Sequence, residues 1–241
     1  MGKLRVHNIE AQSGTNVDLG AAGDVVTFAS DSIQTNLYKD SGANTIFQSD
    51  GAGTLSNVNS GLSGAGPKLI QSQTASGSAS ISFTTGIDST YDQYMFVFTD
   101  INPATDDSRL LFQCSIDSGS NYNVTMTTTT FRAYHKENDT AAALEYDTGM
   151  DQAQGTAYQK ISGTCGNGSD ECVAGILYLF TPSSTTYVKN FYCTTNTYKQ
   201  DDVSDVNYVA GYFNTTSAIN AISFKQDSGN LDGTIKMYGC T

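Results

Sequence analysis

The sequence predicts an all-β fold, and two observations carry that prediction. Ser, Thr, Asn and Gly separate short apolar runs, with 23 glycines but only 3 prolines among 241 residues. Within several runs apolar and polar residues alternate, as around Ile81 and Phe83 or around Ile235 and Met237. A period of two residues turns one side of a strand toward a core and the other toward solvent. We therefore expect many short antiparallel strands and no long helix.

Composition changes near residues 61–68 (GLSGAGPK), where Gly64, Gly66 and Pro67 interrupt the chain as a linker would. Apolar residues are single and sparse before this segment and clustered after it. We therefore place a boundary there. Residues 1–66 are expected to form an N-terminal docking segment with a short β-repeat shaft, and residues 67–241 a C-terminal β-sandwich head.

The N-terminal part contains a short internal repeat. Residues 23–31 (GDVVTFASD) and 42–50 (GANTIFQSD) place Gly, Phe, Ser and Asp at a constant offset of 19 positions. A unit with so few large apolar residues cannot enclose a core of its own and needs neighbours stacked against it. Identical chains around a threefold axis would supply them, which predicts a homotrimer. The alternative is a flexible leader.

Strands should follow one another in the C-terminal part at intervals of about ten residues, as in β-sandwiches. Turn segments such as 117–120 (DSGS) and 227–230 (DSGN) separate them, because Asp, Asn and Gly stabilise tight turns. Residues 137–151 have some helical spacing but are interpreted as a long excursion at a sheet edge. The expected architecture is a jelly-roll-like antiparallel β-sandwich, with a plainer sandwich as the alternative. Expected strands lie at 78–84, 93–99, 109–116, 121–130, 131–135, 159–161, 173–180, 187–196, 208–213, 221–225 and 233–239.

The charge balance narrows the possible partners. Asp and Glu number 24 against 12 Lys and Arg, so the net charge is −12. Such a surface repels phosphate backbones and anionic lipid headgroups, so neither nucleic acid nor membrane is expected as a partner. The start of the chain, MGKLRVH, has no apolar signal region, and no apolar stretch is long enough to span a bilayer.

The sequence offers no persuasive catalytic constellation. His7 and His135 are the 2 histidines, and they lie in different segments, so a catalytic triad or a His-based metal site would depend on His135 alone. The acidic clusters, such as 201–205 (DDVSD), are interpreted as loop and turn residues. Calcium binding by these loops and glycan cleavage by a carboxylate pair are the alternatives. We therefore expect a non-enzyme without cofactor or metal.

Cysteines and exposed tyrosines give the remaining site candidates. The chain has 5 cysteines, an odd number that argues against full pairing, although Cys165 and Cys172 bracket a short loop that a disulfide could close. Tyrosine combines a stiff apolar ring with a hydroxyl, which suits contacts with sugars and polar surfaces. The candidate binding residues in distal loops are Tyr91, Tyr134, Tyr146, Tyr158 and Tyr198.

Three segments together resemble fibre or head-fibre proteins of tailed bacteriophages, particularly those of marine phages. They are residues 16–28 (NVDLGAAGDVVTF), 68–83 (KLIQSQTASGSASISF) and 233–240 (GTIKMYGC). The resemblance implies a virion protein that forms a trimer, docks to the particle at its N-terminus and ends in a β-sandwich head. The chain is short for a tail fibre, which is where it departs from that pattern.

Docking to the capsid or tail is expected at residues 2–10, where Lys3, Arg5 and His7 form a basic cluster that could pair with an acidic particle surface. With Leu4 and Val6 between them, these residues are the predicted docking segment. The function expected from the sequence is host attachment through a surface glycan or protein. The alternatives are a capsid decoration (cement) protein that stabilises the shell and a glycan-cleaving spike enzyme.

Overall fold

The computed structural model describes residues 37–39, 45–49, 52, 55, 56, 58, 66–199 and 201–240. Every helix or strand assigned within these ranges is a β-strand, so the predicted all-β class is confirmed. The chain divides into two compact units, Met1–Gly64 and Ala65–Thr241.

The N-terminal unit contains a small antiparallel sheet of β1 (Leu37–Lys39), β2 (Thr45–Ser49) and β3 (Leu55–Ser56), in that order. The rings of Tyr38 and Phe47 pack against each other with their centroids 4.4 Å apart. Strand β2 belongs to the second copy of the sequence repeat, whereas the first copy, residues 23–31, lies outside the described residues. The repeat shaft therefore stays a prediction.

The C-terminal unit consists of two antiparallel sheets. The large sheet has 8 strands in the order β4-β15-β6-β11-β12-β13-β8-β9, and the small sheet has 4 strands in the order β10-β7-β14-β5. The strands are β4 (Lys68–Ser78), β5 (Ile81–Phe83), β6 (Gln93–Pro103), β7 (Leu110–Ser115), β8 (Met126–Lys136), β9 (Ala142–Tyr146), β10 (Gln159–Lys160), β11 (Val173–Phe180), β12 (Lys189–Lys199), β13 (Val203–Phe213), β14 (Ala221–Gln226) and β15 (Leu231–Cys240).

Aromatic contacts between the two sheets form the core. Phe96 of the large sheet packs against Phe83 and Phe224 of the small sheet, with ring centroids 5.6 Å apart in both pairs. Phe112 of the small sheet lies 4.9 Å from Phe191 of the large sheet. Such edge-on and tilted ring packing is typical of a dense apolar interior. The two sheets therefore form a sandwich-like arrangement, as predicted.

Strand β13 begins earlier than the sequence predicts, at Val203 instead of residue 208. Asp205, interpreted as a loop carboxylate, lies within this strand and is fully buried. Its Oδ2 lies 3.4 Å from Arg132 Nη1 and 3.8 Å from Lys199 Nζ. Two cations in reach offset part of the cost of removing a carboxylate from water, so the strand continues through an acidic residue. The loop interpretation of Asp205 was wrong.

Strand β8 is continuous from Met126 to Lys136, although the sequence predicted two strands, 121–130 and 131–135. Residues 121–125 are not part of a strand. The edge excursion predicted for residues 137–151 contains β9, which pairs with β8 and ends the large sheet.

Candidate functional site: the outer face of the large sheet

Alternate residues of the large sheet point away from the small sheet. Cross-strand pairing aligns them into rows, and we call three adjacent rows, together with Phe180 beside the first of them, the outer face. The first row is Leu69, Tyr238, Met95, Tyr178, Tyr192, Ala210 and Thr129. The second is Ser72, Lys236, Val97, Ile176, Thr194, Tyr208, Phe131 and Tyr146, and the third is Ala174, Asn196, Val206, Ala133 and Leu144.

The outer face is almost uncharged. Lys236 is the one Lys, Arg, Asp or Glu in the three rows, all of whose residues are described, although the chain carries a net charge of −12. Tyr, Phe, Met, Leu, Ile and Val hold many of the other positions. Depletion of charge together with aromatic enrichment is the compositional signature of the centre of a protein–protein interface.

Large apolar side chains on this face remain exposed. Leu144 is 72% exposed, Tyr146 52%, and Phe131 and Tyr192 45% each. At a strand spacing of about 4.8 Å and a rise of about 3.4 Å per residue, the three rows cover roughly 700 Å². The largest apolar patch of a typical monomer is about 300–600 Å². Because this footprint also includes Ser72, Lys236, Thr194, Asn196 and Thr129, its apolar part falls within that range, at a size that is often functional.

Neighbouring rings support one another on the outer face. Phe131 stacks on Tyr208 with a centroid distance of 4.8 Å and an interplanar angle of 17°. Tyr178 and Tyr192 lie 4.9 Å apart, and Phe180 lies 5.6 Å from Tyr192. Because each ring is held by its neighbour on a rigid sheet, little conformational entropy remains to be lost when a partner covers them.

A depression of about 440 Å³, which we call the central groove, runs between β11 and β12 on this face. Ile176, Tyr178, Tyr192 and Val206 give it an apolar lining. Two further depressions, of about 410 Å³ and about 190 Å³, lie beside it and share Tyr192 with it. Concavities between aromatic rings are where apolar anchors of a partner are held.

The sequence-predicted tyrosines are not brought together at one site. Tyr146 lies on the outer face, where its hydroxyl donates to Asp151 Oδ2 at 2.7 Å. Tyr198 donates to Asp202 Oδ1 at 3.0 Å, and this hydrogen bond, the largest cause, raises the pKa of Tyr198 to about 12.

The other three candidates pack in separate places. Tyr91 lies 5.9 Å from Tyr94, measured between ring centroids, and Arg132 lies 5.1 Å from the centre of the Tyr134 ring. The ammonium group of Lys225 lies 4.4 Å from the centre of the Tyr158 ring. The three rings pack against different neighbours, Tyr94, Arg132 and Lys225, and their role in binding stays a prediction.

The other site residues predicted from the sequence are the docking segment and the two cysteines. The docking segment, Lys3, Leu4, Arg5, Val6 and His7, lies outside the described residues. Cys165 and Cys172 are free thiols. Burial, the largest cause, raises the pKa of Cys165 to about 12, which disfavours the reactive thiolate. Their pairing stays a prediction.

The inner face of the large sheet becomes polar where β8, β12 and β13 pass Asp205. Burial raises the pKa of Asp205 above its ordinary value, whereas Arg132 and Lys199 act in the opposite direction. Arg132 also donates to Glu145 at 2.7 Å from Nε. Asp205, Arg132 and Lys199 line a cleft of about 200 Å³ together with Tyr134, Lys136 and Asp201. Arg132 and Lys199 both lie within ion-pair distance of Asp205, so we assign these three groups a structural role.

Comparison of the chain with family models, curated proteins and solved structures finds no match. In the described ranges no group of three or more His, Cys, Asp or Glu is arranged to hold a metal ion. Nor does this part of the chain contain a helix that could cross a bilayer.

The outer face was not predicted from the sequence, although one signal for it exists. Strand β11, VAGILYLF, is apolar at successive positions and not only at alternate ones. The predicted alternation of Ile176, Tyr178 and Phe180 is real, but these residues point outward, while Leu177 and Leu179 are buried. A strand that is apolar on both sides indicates two buried faces, and in β11 only the face toward Leu177 and Leu179 is fully buried.

Proposed function

We propose that this chain is a non-catalytic structural subunit of a phage virion, a homotrimeric fibre or appendage that attaches the particle to its host. The observation that supports the proposal is the uncharged, aromatic outer face of the large sheet. A largely apolar surface favours a protein partner, and the footprint of the three rows, roughly 700 Å², is comparable in extent with the roughly 800 Å² that each partner of a stable interface buries.

The charge limits where a second copy of the same chain could bind. Two molecules with a net charge of −12 each repel one another through most of their surfaces, and the repulsion is weakest where both present uncharged side chains. Closed rings of identical subunits are the common solution for soluble assemblies. Three copies agree with the trimer that the sequence repeat and the phage-fibre resemblance predict.

The finer parts of the proposal follow the sequence. The N-terminal unit acts as the β-repeat shaft, with residues 3–7 docking to capsid or tail, and the sandwich has a jelly-roll connection. The loops of the sandwich face the host, where they contact a surface glycan or protein. A monomeric protein that covers its outer face with another virion protein would instead act as capsid decoration.

Light scattering on the purified full chain tests the proposal. We expect a mass of three times the chain mass of 25.6 kDa, and we expect Tyr192→Asp to lower it to that of one chain, because a charge at the centre of the face cannot be buried unpaired. Tyr187→Asp, at a residue that is 72% exposed and outside the three rows, serves as the control and should remain trimeric. A monomeric wild-type chain would refute the homotrimer.

A further inference from the structure

One edge of the outer face carries a projecting apolar pair. Leu144 ends the third row and Tyr146 ends the second, both on the edge strand β9. They are 72% and 52% exposed. We call them the edge pair.

The strand that carries the edge pair and the side chain of Tyr146 are held in place although the pair projects. Between its two members, Glu145 binds Arg132 Nε and Nη2, each at 2.7 Å, which ties β9 to β8. The hydroxyl of Tyr146 is fixed by Asp151. Preorganised apolar side chains are effective anchors, because little freedom remains to be lost on binding.

The central groove lies on the same face, between β11 and β12. The third row joins the two features, since it runs from Ala174 and Asn196 in the groove through Val206 and Ala133 to Leu144. Val206 of β13 is the lining residue nearest to β9, and strand β8 lies between them. From β12, in the middle of the groove, β9 is roughly 15 Å away at normal strand spacing. The edge pair therefore cannot fill the groove of its own molecule.

We infer that Leu144 and Tyr146 of one copy occupy the central groove of the next copy, as the head-to-tail contact that closes the trimer. The inference rests on the homotrimer proposed above, and it specifies which residues of neighbouring copies contact each other. An apolar pair enters an apolar groove, lined by Ile176, Tyr178, Tyr192 and Val206. A contact between two different patches of the same chain generates a ring when its rotation closes.

Single substitutions at each side of the contact test the inference. Leu144→Asp and Val206→Asp should each raise the apparent dissociation constant of the trimer at least about 100-fold, since truncated or charged anchors dominate interface losses. Tyr187→Asp is the matched control, because Tyr187 and Leu144 are equally exposed, at 72%. Circular dichroism of every variant monitors the fold, and Leu144→Ser replaces Leu144→Asp if the latter unfolds.

Mixing the two variants identifies the contact as head-to-tail. Leu144→Asp retains an intact groove and Val206→Asp an intact edge pair, so an equimolar mixture should form a species of two chains by light scattering, whereas each variant alone stays monomeric. A trimer that survives both substitutions would overturn this inference and leave the proposed function standing. A wild-type monomer would overturn both.

Discussion

The two faces of the large sheet are built from the same strands and yet differ in nearly every physical property. The inner row Met237, Phe96, Leu177, Cys193, Val209 and Thr130 crosses the sheet one residue away from the outer residues and is buried throughout. The outer rows hold large apolar side chains of which many stay exposed. Burial against the small sheet, and not apolar character alone, therefore decides which face stabilises the subunit and which is free to bind.

The largest expected contrast between the faces is in stability. Phe96→Ala should lower the free energy of unfolding by about 3–5 kcal/mol, because it leaves a cavity between rings of both sheets. Phe131→Ala on the outer face, where Phe131 is 45% exposed and stacks mainly on Tyr208, should cost only about 1–2 kcal/mol. Urea denaturation of both variants measures the difference. Equal losses would mean that the outer face is as deeply packed as the inner one.

Two adjacent threonines of β12 compare the two faces at the level of one hydroxyl group each, with a smaller expected difference in stability. Thr195 points inward and its hydroxyl donates to the carbonyl oxygen of Ile161, whereas Thr194 lies in the second outer row. Thr195→Val leaves that buried carbonyl without its donor and should cost about 1–3 kcal/mol. Thr194→Val should be nearly neutral. Thermal denaturation of the two variants checks the order, and a reversed order would contradict the assignment of the faces.

The buried Asp205 should give a distinct dependence of stability on pH. Its pKa in the folded chain lies above the ordinary 3.8, so the folded state holds the proton more tightly than the unfolded state. The stability that depends on Asp205 is then greatest below pH 3.8 and declines as the pH rises through the folded-state pKa. We expect the difference between the free energy of unfolding of wild type and that of Asp205→Asn to fall as the pH rises from 3.8 through the folded-state pKa of Asp205. A difference that rises instead would contradict the burial.

The exposed Asp117 should show the opposite slope, with the smallest effect of the series. Hydrogen bonds from Ser115 and Asn121 lower its pKa from 3.8 to about 2. The contribution of Asp117 to the free energy of unfolding is therefore present above pH 3.8 and is lost as the pH falls through about 2. Comparison of wild type with Asp117→Asn by denaturation at several acidic pH values measures it. The titration curve of Asp117 by NMR gives an independent check.

The sequence predicted the fold class and most strands because alternation and turn residues are local signals. Cys114, Cys193 and Cys240 lie inside apolar runs, which predicts small buried hydrophobic residues; Cys114 and Cys193 are buried, whereas Cys240 is only partly buried. Asp205 was misplaced because the two cations that compensate it come from β8 and from the far end of β12, and such long-range pairing leaves no mark on local composition. The outer face was missed for a related reason. Periodicity shows that Ile176 and Leu177 lie on opposite faces of β11, but it does not show which of the two faces the small sheet covers.

The alternation of the two faces also determines how the chain can change over time. Odd and even positions along β12 lie on opposite faces of the sheet, so substitutions at Tyr192 or Thr194 can change the outer face while Phe191, Cys193 and Thr195 preserve the core. Insertion of a single codon within such a strand has the opposite consequence. It would move every later side chain to the other side of the sheet, so that Tyr192 would enter the core and Cys193 would lie on the outer face. Evolution of the assembly is therefore expected to proceed by replacement within strands, with changes of length confined to the loops.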